Sequence, residues 1–282
     1  MRILVTGAGG MVGRAVVEHC AAREDEVLAH DRAGLDIADA AAVRAVFEKE
    51  RPQAVINCAA WTDVDACQSD SERSFRIHAR GPENLAISAR HVGATLVTIS
   101  TDYVFDGAKD GFYTQRDDPF PTSVYGLSKL EGERRAQSAS ARTVVVRTGW
   151  IFGVGGRNFL SRIMELGQTG ERLKAIGDAW GTPTYAADLA RRLRQLAELD
   201  LPGVYHVTNA GDGTSYEEFT REALAAAGLD AVEMESVSMD SLERPAPRPR
   251  NSRLRCLLSA AIGLEPLPDW RLALKRFAAA RR

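Results

Sequence analysis

Residues 2–13, RILVTGAGGMVG, decide the fold. Ile3 to Thr6 reads as a buried first strand, and Gly7, Gly10 and Gly13 follow at intervals of three. A glycine-rich turn between a first strand and a first helix brings backbone N–H groups to a helix N-terminus, where they can cradle a pyrophosphate. The Gly-x-x-Gly-x-x-Gly spacing differs from G-x-G-x-x-G, but it serves the same needs. These are a tight turn, close approach of backbone to phosphate and close helix–strand packing.

The pattern continues outward. Residues 12–22 read as a helix, 27–30 as a second strand and 40–50 as a helix that stops before Pro52. Strands are expected at 54–58 and 95–100, with one long helix over 71–92 or two joined near Gly81-Pro82. A helix over 125–137 and a strand over 143–147 (TVVVR) complete the run. Apolar strands alternating with helices predict an α/β fold, a Rossmann-type doubly wound parallel sheet. After Trp150 the rhythm loosens. Helices are expected at 158–167, 186–199, 216–227 and 270–280 and a strand at 203–208, while the Pro- and Arg-rich 243–253 cannot be regular helix. The reading is a dinucleotide-binding lobe over 1–149 and a smaller C-terminal substrate lobe over most of 150–282, some segments of which return to the first.

The bulk numbers exclude several classes. The 282 residues are 45% hydrophobic and 26% charged, with a net charge of −2, so neither nucleic acid nor a membrane surface is an expected partner. No apolar run approaches the roughly 20 residues that span a bilayer, and the start shows no signal-peptide pattern. The scattered Cys20, Cys58, Cys67 and Cys256, with no C-x-x-C, fit a reduced, cytoplasmic protein, and five scattered histidines predict no metal site.

Chemistry enters with residues 124–133, VYGLSKLEGE. Tyr125 and Lys129 are four apart and share one face of a helix. A lysine ammonium beside a phenol favours the phenolate, which makes the tyrosine usable near neutrality. Thr101 ends a strand, where its hydroxyl can hold a substrate carbonyl oxygen near Tyr125. A dinucleotide site with such a tyrosine is a kit for hydride transfer to or from a carbonyl. Asp31 lies where an acid bonds the ribose 2′-hydroxyl of NAD, and Arg32 beside it suits the 2′-phosphate of NADP. Asp36-Ile37 and Ala59-Ala60 fall at the next strand ends, although Asp36 equally suits a helix cap ahead of Ala40. Arg244, Arg248 and Arg250 stand between prolines and suit a diphosphate; the alternative is a solvated loop that ties the last helix to the lobe.

TGAGGMVG (6–13), NCAAWTDVDACQSD (57–70), STDYVFDG (100–107), VYGLSKLEGE, VRTGWIFG (146–153), GTPTYAADLA (181–190), GVYHVTN (203–209), RPRNSRL (248–254) and LPDW (267–270) together resemble an extended short-chain dehydrogenase/reductase. Within that superfamily the whole chain resembles the dTDP-4-dehydrorhamnose reductase family. The resemblance implies reduction of a 4-keto group on a dTDP-deoxysugar by NADPH, with NADH also plausible. It implies Thr101, Tyr125 and Lys129 as the catalytic set and Gly10, Met11 and Val12 under the pyrophosphate. Asp36, Ile37, Ala59, Ala60 and Trp61 would contact the cofactor, and Asp102, Trp150 and, within the family-like RPRNS stretch, Arg248 the substrate. Tyr103 replaces the second acid of related dehydratases, which argues against dehydration. His78 stands where the family usually has Asn. Ala15 stands where some members carry a metal-binding Glu, so a monomer or weak dimer without a metal bridge is expected. The rivals are a reductase of another dTDP-4-keto-6-deoxysugar and a non-catalytic NADP-binding regulatory subunit.

Overall fold

The computed structural model describes residues 1–281. Its central sheet has six parallel strands: β1 (Arg2–Thr6), β2 (Glu26–His30), β3 (Ala54–Asn57), β4 (Thr95–Thr101), β5 (Thr143–Thr148) and β6 (Gly203–His206). Their order across the sheet is β6-β5-β4-β3-β1-β2. The chain winds from β1 outward to β2 and then crosses to β3 on the other side of β1. The order therefore reverses at β1, the place where such sheets bind ligands beyond the strand ends.

Five helices cover the two faces: α1 (Met11–Ala22), α2 (Ala40–Glu50), α3 (Gly81–Val92), α4 (Val124–Ala139) and α5 (Ala186–Leu199). Alternation within each strand supplies two cores. Ile3, Val5, Ile56 and Val97 pack with Val16, Leu189 and Leu193 on the α1/α5 face. Leu4, Val55 and Leu96 pack with Val43, Phe47, Leu85 and Ala136 on the other. Both sides are dry, which is why the strands read as continuous apolar runs.

Two expected details change. Residues 71–92 form one helical run whose last segment begins at Gly81, but a π-helical turn lies inside it. Helix Ser71–Phe75 runs into a π-helical turn, Arg76–Arg80, and only then into α3. Asp36 is not the cap of α2; Asp39 is, accepting from Ala41 N and Ala42 N at 3.0 Å each. Past Trp150 a third core gathers Phe152, Leu160, Ile163, Tyr185, Phe219, Trp270 and Phe277. Three two-stranded pairings surround it, too short to leave a period in the sequence. Among the described residues no helix is long and apolar enough to cross a membrane.

One buried ion pair pins α4 to the sheet. Arg147 on β5 meets Glu133 on α4 through Nη2–Oε2 at 2.7 Å and Nε–Oε1 at 3.0 Å, and Ser100 on β4 donates to the same carboxylate. The side chains are only 7% and 3% exposed, so removing one partner strands a buried charge. Arg147→Leu is expected to cost about 3–5 kcal/mol, read from urea unfolding. A loss under about 1 kcal/mol would show that water reaches Glu133.

Candidate active site

The turn after β1 is shaped by glycines that nothing larger could replace. Gly7 has φ of 68°, and a Cβ there would lie 2.6 Å from Ala59 N, while a Cβ on Gly13 would collide with the Gly7 carbonyl oxygen. The backbone therefore stays open to a ligand, with Ala8 N tied to His30 O at 3.0 Å. Behind it a polar ladder crosses three strand ends. Thr6 donates to Asn57 Oδ1 at 2.7 Å, Asn57 Nδ2 donates to Thr98 Oγ1 at 2.9 Å, and Ala59 N donates back to Asn57 Oδ1 at 3.1 Å. Asn57 thus fixes the turn that carries Ala59 and Ala60.

A cavity of about 710 Å³ runs over the ends of β1, β2 and β3. It is lined by Gly7, Gly10, Asp31, Arg32, Asp36, Ile37, Ala59, Ala60 and Trp61, and also by Arg76, which the sequence did not signal. A second cavity, about 730 Å³, holds Met11, Val12, Gly13, Thr101, Asp102, Tyr125, Lys129 and Trp150. Both are walled by Gly9, Gly10, Cys58, Ala59 and Ala60, so they are halves of one cleft. Open glycine backbone at a helix N-terminus suits a dinucleotide pyrophosphate.

At the first end of the cleft Asp31 is held to its own turn through one oxygen. Asp31 Oδ1 accepts from Ala33 N at 3.0 Å and Gly34 N at 2.9 Å, while Arg32 makes no hydrogen bond or ion pair among the described residues. Asp36 accepts from Ala38 N and pairs with Arg76 Nη1, each at 3.0 Å, which together hold its carboxyl below the usual range.

At the other end Ser123 caps α4 by accepting from Gly126 N at 3.2 Å, which sets Tyr125 in the first turn and Lys129 one turn on. The expected electrostatics are corrected here. Lys129 Nζ donates to the Ile99 carbonyl at 2.6 Å, and burial lowers its pKa to about 8. Burial pushes the Tyr125 phenol above its ordinary value; Thr101 opposes this, and the charge on Asp102 adds to it. The phenol is a held proton donor, because desolvation outweighs an ammonium drawn toward a carbonyl. Thr101 donates to Asp102 Oδ1 at 3.1 Å and accepts from Tyr103 N at 3.2 Å. Asp102 is 3% exposed, its Oδ2 has no partner among the described residues, and burial raises its pKa to about 6.

Trp150 takes a left-handed backbone, φ 48°, unusual for so large a residue. Packing holds it there. Its ring stacks on Tyr216 at 3.8 Å between centroids, and its Nε1 donates to Ser252 at 3.2 Å. Strain of this kind persists only where the surroundings over-determine it, and it clusters at functional sites.

Arg248 departs from expectation. It lies outside both cavities' walls, with Nη1 and Nη2 on the two oxygens of Asp65 at 3.0 and 2.7 Å. A carboxylate placed across the cleft rim satisfies the guanidinium bidentately, so it is not a free cation. Tyr103, read from the sequence only as the replacement for a second acid, and Tyr216 also line the cleft. Tyr103 follows Asp102 directly and was open to a local reading; Tyr216 had no local signal.

A doubly wound sheet with a glycine turn after β1, and a Tyr-x-x-x-Lys helix facing it, defines a short-chain dehydrogenase/reductase. The chain belongs to the RmlD substrate binding domain family, whose model matches residues 1–282. It is similar to the dTDP-4-dehydrorhamnose reductase of Streptomyces griseus, 40% identical over 97% of this chain and 91% of the relative. The dTDP-4-keto-6-deoxy-D-glucose reductase of Streptomyces niveus is 34% identical over 97% of this chain and 95% of its own. Among solved structures, the dTDP-4-dehydrorhamnose reductase of Bacillus anthracis in complex with NADP superposes with a TM-score of 0.95, at 34% identity over 99% of each chain.

Lys129 loses its charge as pH rises through about 8. Affinity for the reduced cofactor should therefore fall on the alkaline side with a midpoint near 8, and Lys129→Met should be weak without that fall. A wild-type affinity that stays flat from about pH 6 to about pH 10 would show that the ammonium does not serve the cofactor.

Proposed function

We propose that this protein reduces the 4-keto group of dTDP-4-dehydro-β-L-rhamnose to give dTDP-L-rhamnose, using NADPH, with NADH as a weaker substitute. The observation that carries this reading is full-length similarity to dTDP-4-dehydrorhamnose reductases, with Thr101, Tyr125 and Lys129 facing one cleft. Bound NADPH supplies the hydride for the C4 carbon. Tyr125, kept protonated by burial, gives its proton to the carbonyl oxygen, and Thr101 holds that oxygen. Lys129 bonds the nicotinamide ribose and stabilises the phenolate left behind, which regains a proton from water.

Residues 1–149 serve the dinucleotide and most of 150–282 the sugar nucleotide. Gly7, Gly10, Met11, Val12 and Gly13 receive the pyrophosphate. Arg32, a cation with no partner among the described residues at the cofactor end of the cleft, meets the 2′-phosphate. Asp102 and Trp150 hold the deoxysugar. For Arg248 to meet the diphosphate, Asp65 must release part of its grip. Arg244, which has no ion pair among the described residues and whose charge reaches Tyr103 and Tyr216, is the freer cation at that rim. The protein works in the cytoplasm as a monomer or weak dimer. A second reading, reduction of another dTDP-4-keto-6-deoxysugar, is favoured by the likeness to the Streptomyces niveus enzyme. The intact Tyr125–Lys129 pair opposes a purely regulatory role.

Oxidation of NADPH should accompany reduction of one member of a panel of dTDP-4-ketosugars, and Tyr125→Phe should lower kcat by about 10²-fold or more without weakening NADPH binding. Wild-type-like turnover in that variant would remove Tyr125 from the chemistry. Arg32→Ala should weaken NADPH about tenfold or more and spare NADH. Equal effects on both cofactors would take Arg32 away from the 2′-phosphate.

A further inference from the structure

The π-helical turn Arg76–Arg80 interrupts the helical run directly below the cleft. Such turns insert one extra residue, re-aim the side chains around it and recur at functional sites. Here the turn carries His78, whose side chain is 1% exposed and uses both ring nitrogens. Nε2 accepts from Trp61 N at 3.0 Å. That nitrogen therefore carries no hydrogen, and the proton sits on Nδ1, which faces Ser128 Oγ at 3.0 Å and Ser74 Oγ at 3.3 Å. Ser128 donates onward to the Tyr125 carbonyl at 2.9 Å. The bonds run one way, from the Trp61 N–H through the imidazole and the serine to the backbone of Tyr125. The imidazole also stands edge-on to the Tyr125 ring, 5.4 Å between centroids at 88°.

The two ends of this chain matter. Trp61 belongs to the loop whose Cys58, Ala59 and Ala60 wall both halves of the cleft. Ser128 lies between Tyr125 and Lys129 on α4. We propose that His78 is a positioning residue that locks the cofactor loop to the catalytic turn of α4, and so sets the distance between the bound nicotinamide and the Tyr125 phenol. The proposal rests on the reductase reading above. Burial, with the Lys129 charge, lowers the His78 pKa to about 3, so the imidazole stays neutral and the direction of the chain is fixed. A protonated ring would turn a second N–H toward the Trp61 N–H.

The test compares His78→Leu, which can neither accept nor donate, with His78→Gln, whose amide can do both. His78→Leu should lower kcat by about 10²-fold, the scale of an ångström-sized misplacement. It should also raise the primary isotope effect with C4-deuterated NADPH, weaken NADPH in a fluorescence titration without sugar, and leave KM for the ketosugar within about twofold. His78→Gln should recover most of the kcat. Unchanged kcat in His78→Leu would overturn the proposal. So would equal losses in both variants that track the folded fraction seen by circular dichroism. If the wild type reduces no ketosugar, the functional reading fails instead, and the NADPH titration still decides the lock: unchanged affinity in His78→Leu overturns it.

Discussion

All six strands run parallel, and this constraint fixes where the chemistry can be. Parallel strands end at one edge, so the segments after β1, β2, β3, β4 and β5 emerge side by side. Residues far apart in the chain, Gly10, Arg32, Ala60, Thr101 and Trp150, thus share one cleft. Backbone hydrogen bonds set the register, and the Thr6–Asn57–Thr98 ladder repeats it in side chains just beneath the floor. The reversal of strand order at β1 leaves the crevice into which the glycine turn opens.

Dryness then sets the chemistry. Burial disfavours charge, and it moves three neighbouring groups in directions set by their type. Tyr125 and Asp102 go up and Lys129 goes down. A phenol that keeps its proton suits a site that must deliver one. The cost of such a site is met nearby. Glu133 and Arg147, themselves buried, satisfy each other and hold α4 against β4 and β5. The orphaned Oδ2 of Asp102 is the exception, and buried polar atoms left unpaired in a cleft are those a ligand can satisfy.

The second lobe is tied to the first around the rim of the cleft. Arg248 bridges to Asp65, Arg14 Nη2 donates to Gly155 O at 3.1 Å, and Lys109, through Asn251, holds the proline-rich segment to the loop after β4. The Arg248–Asp65 pair is partly solvated, so its Coulomb gain is partly screened. It can yield to a better anion more easily than the Glu133–Arg147 pair, which has no water to replace a lost partner.

The sequence by itself determined the sheet, the glycine turn and the Tyr125/Lys129 pair. Each is a local pattern, an apolar run, a spacing of three or a spacing of four, that maps directly onto strand, turn or helix geometry. Tertiary structure alone decided what those groups face. Lys129 points at the Ile99 carbonyl, Asp31 Oδ1 caps its own turn at Ala33 and Gly34, and Arg248 is held by a carboxylate 183 positions away. It also decided that Arg76 lines the cleft and that His78 bonds the Trp61 backbone behind it, because a π-helical turn shifts the helix phase and periodicity of 3.6 cannot show the shift. Local spacing encodes which elements form, whereas partner choice and desolvation depend on which distant segments pack against them.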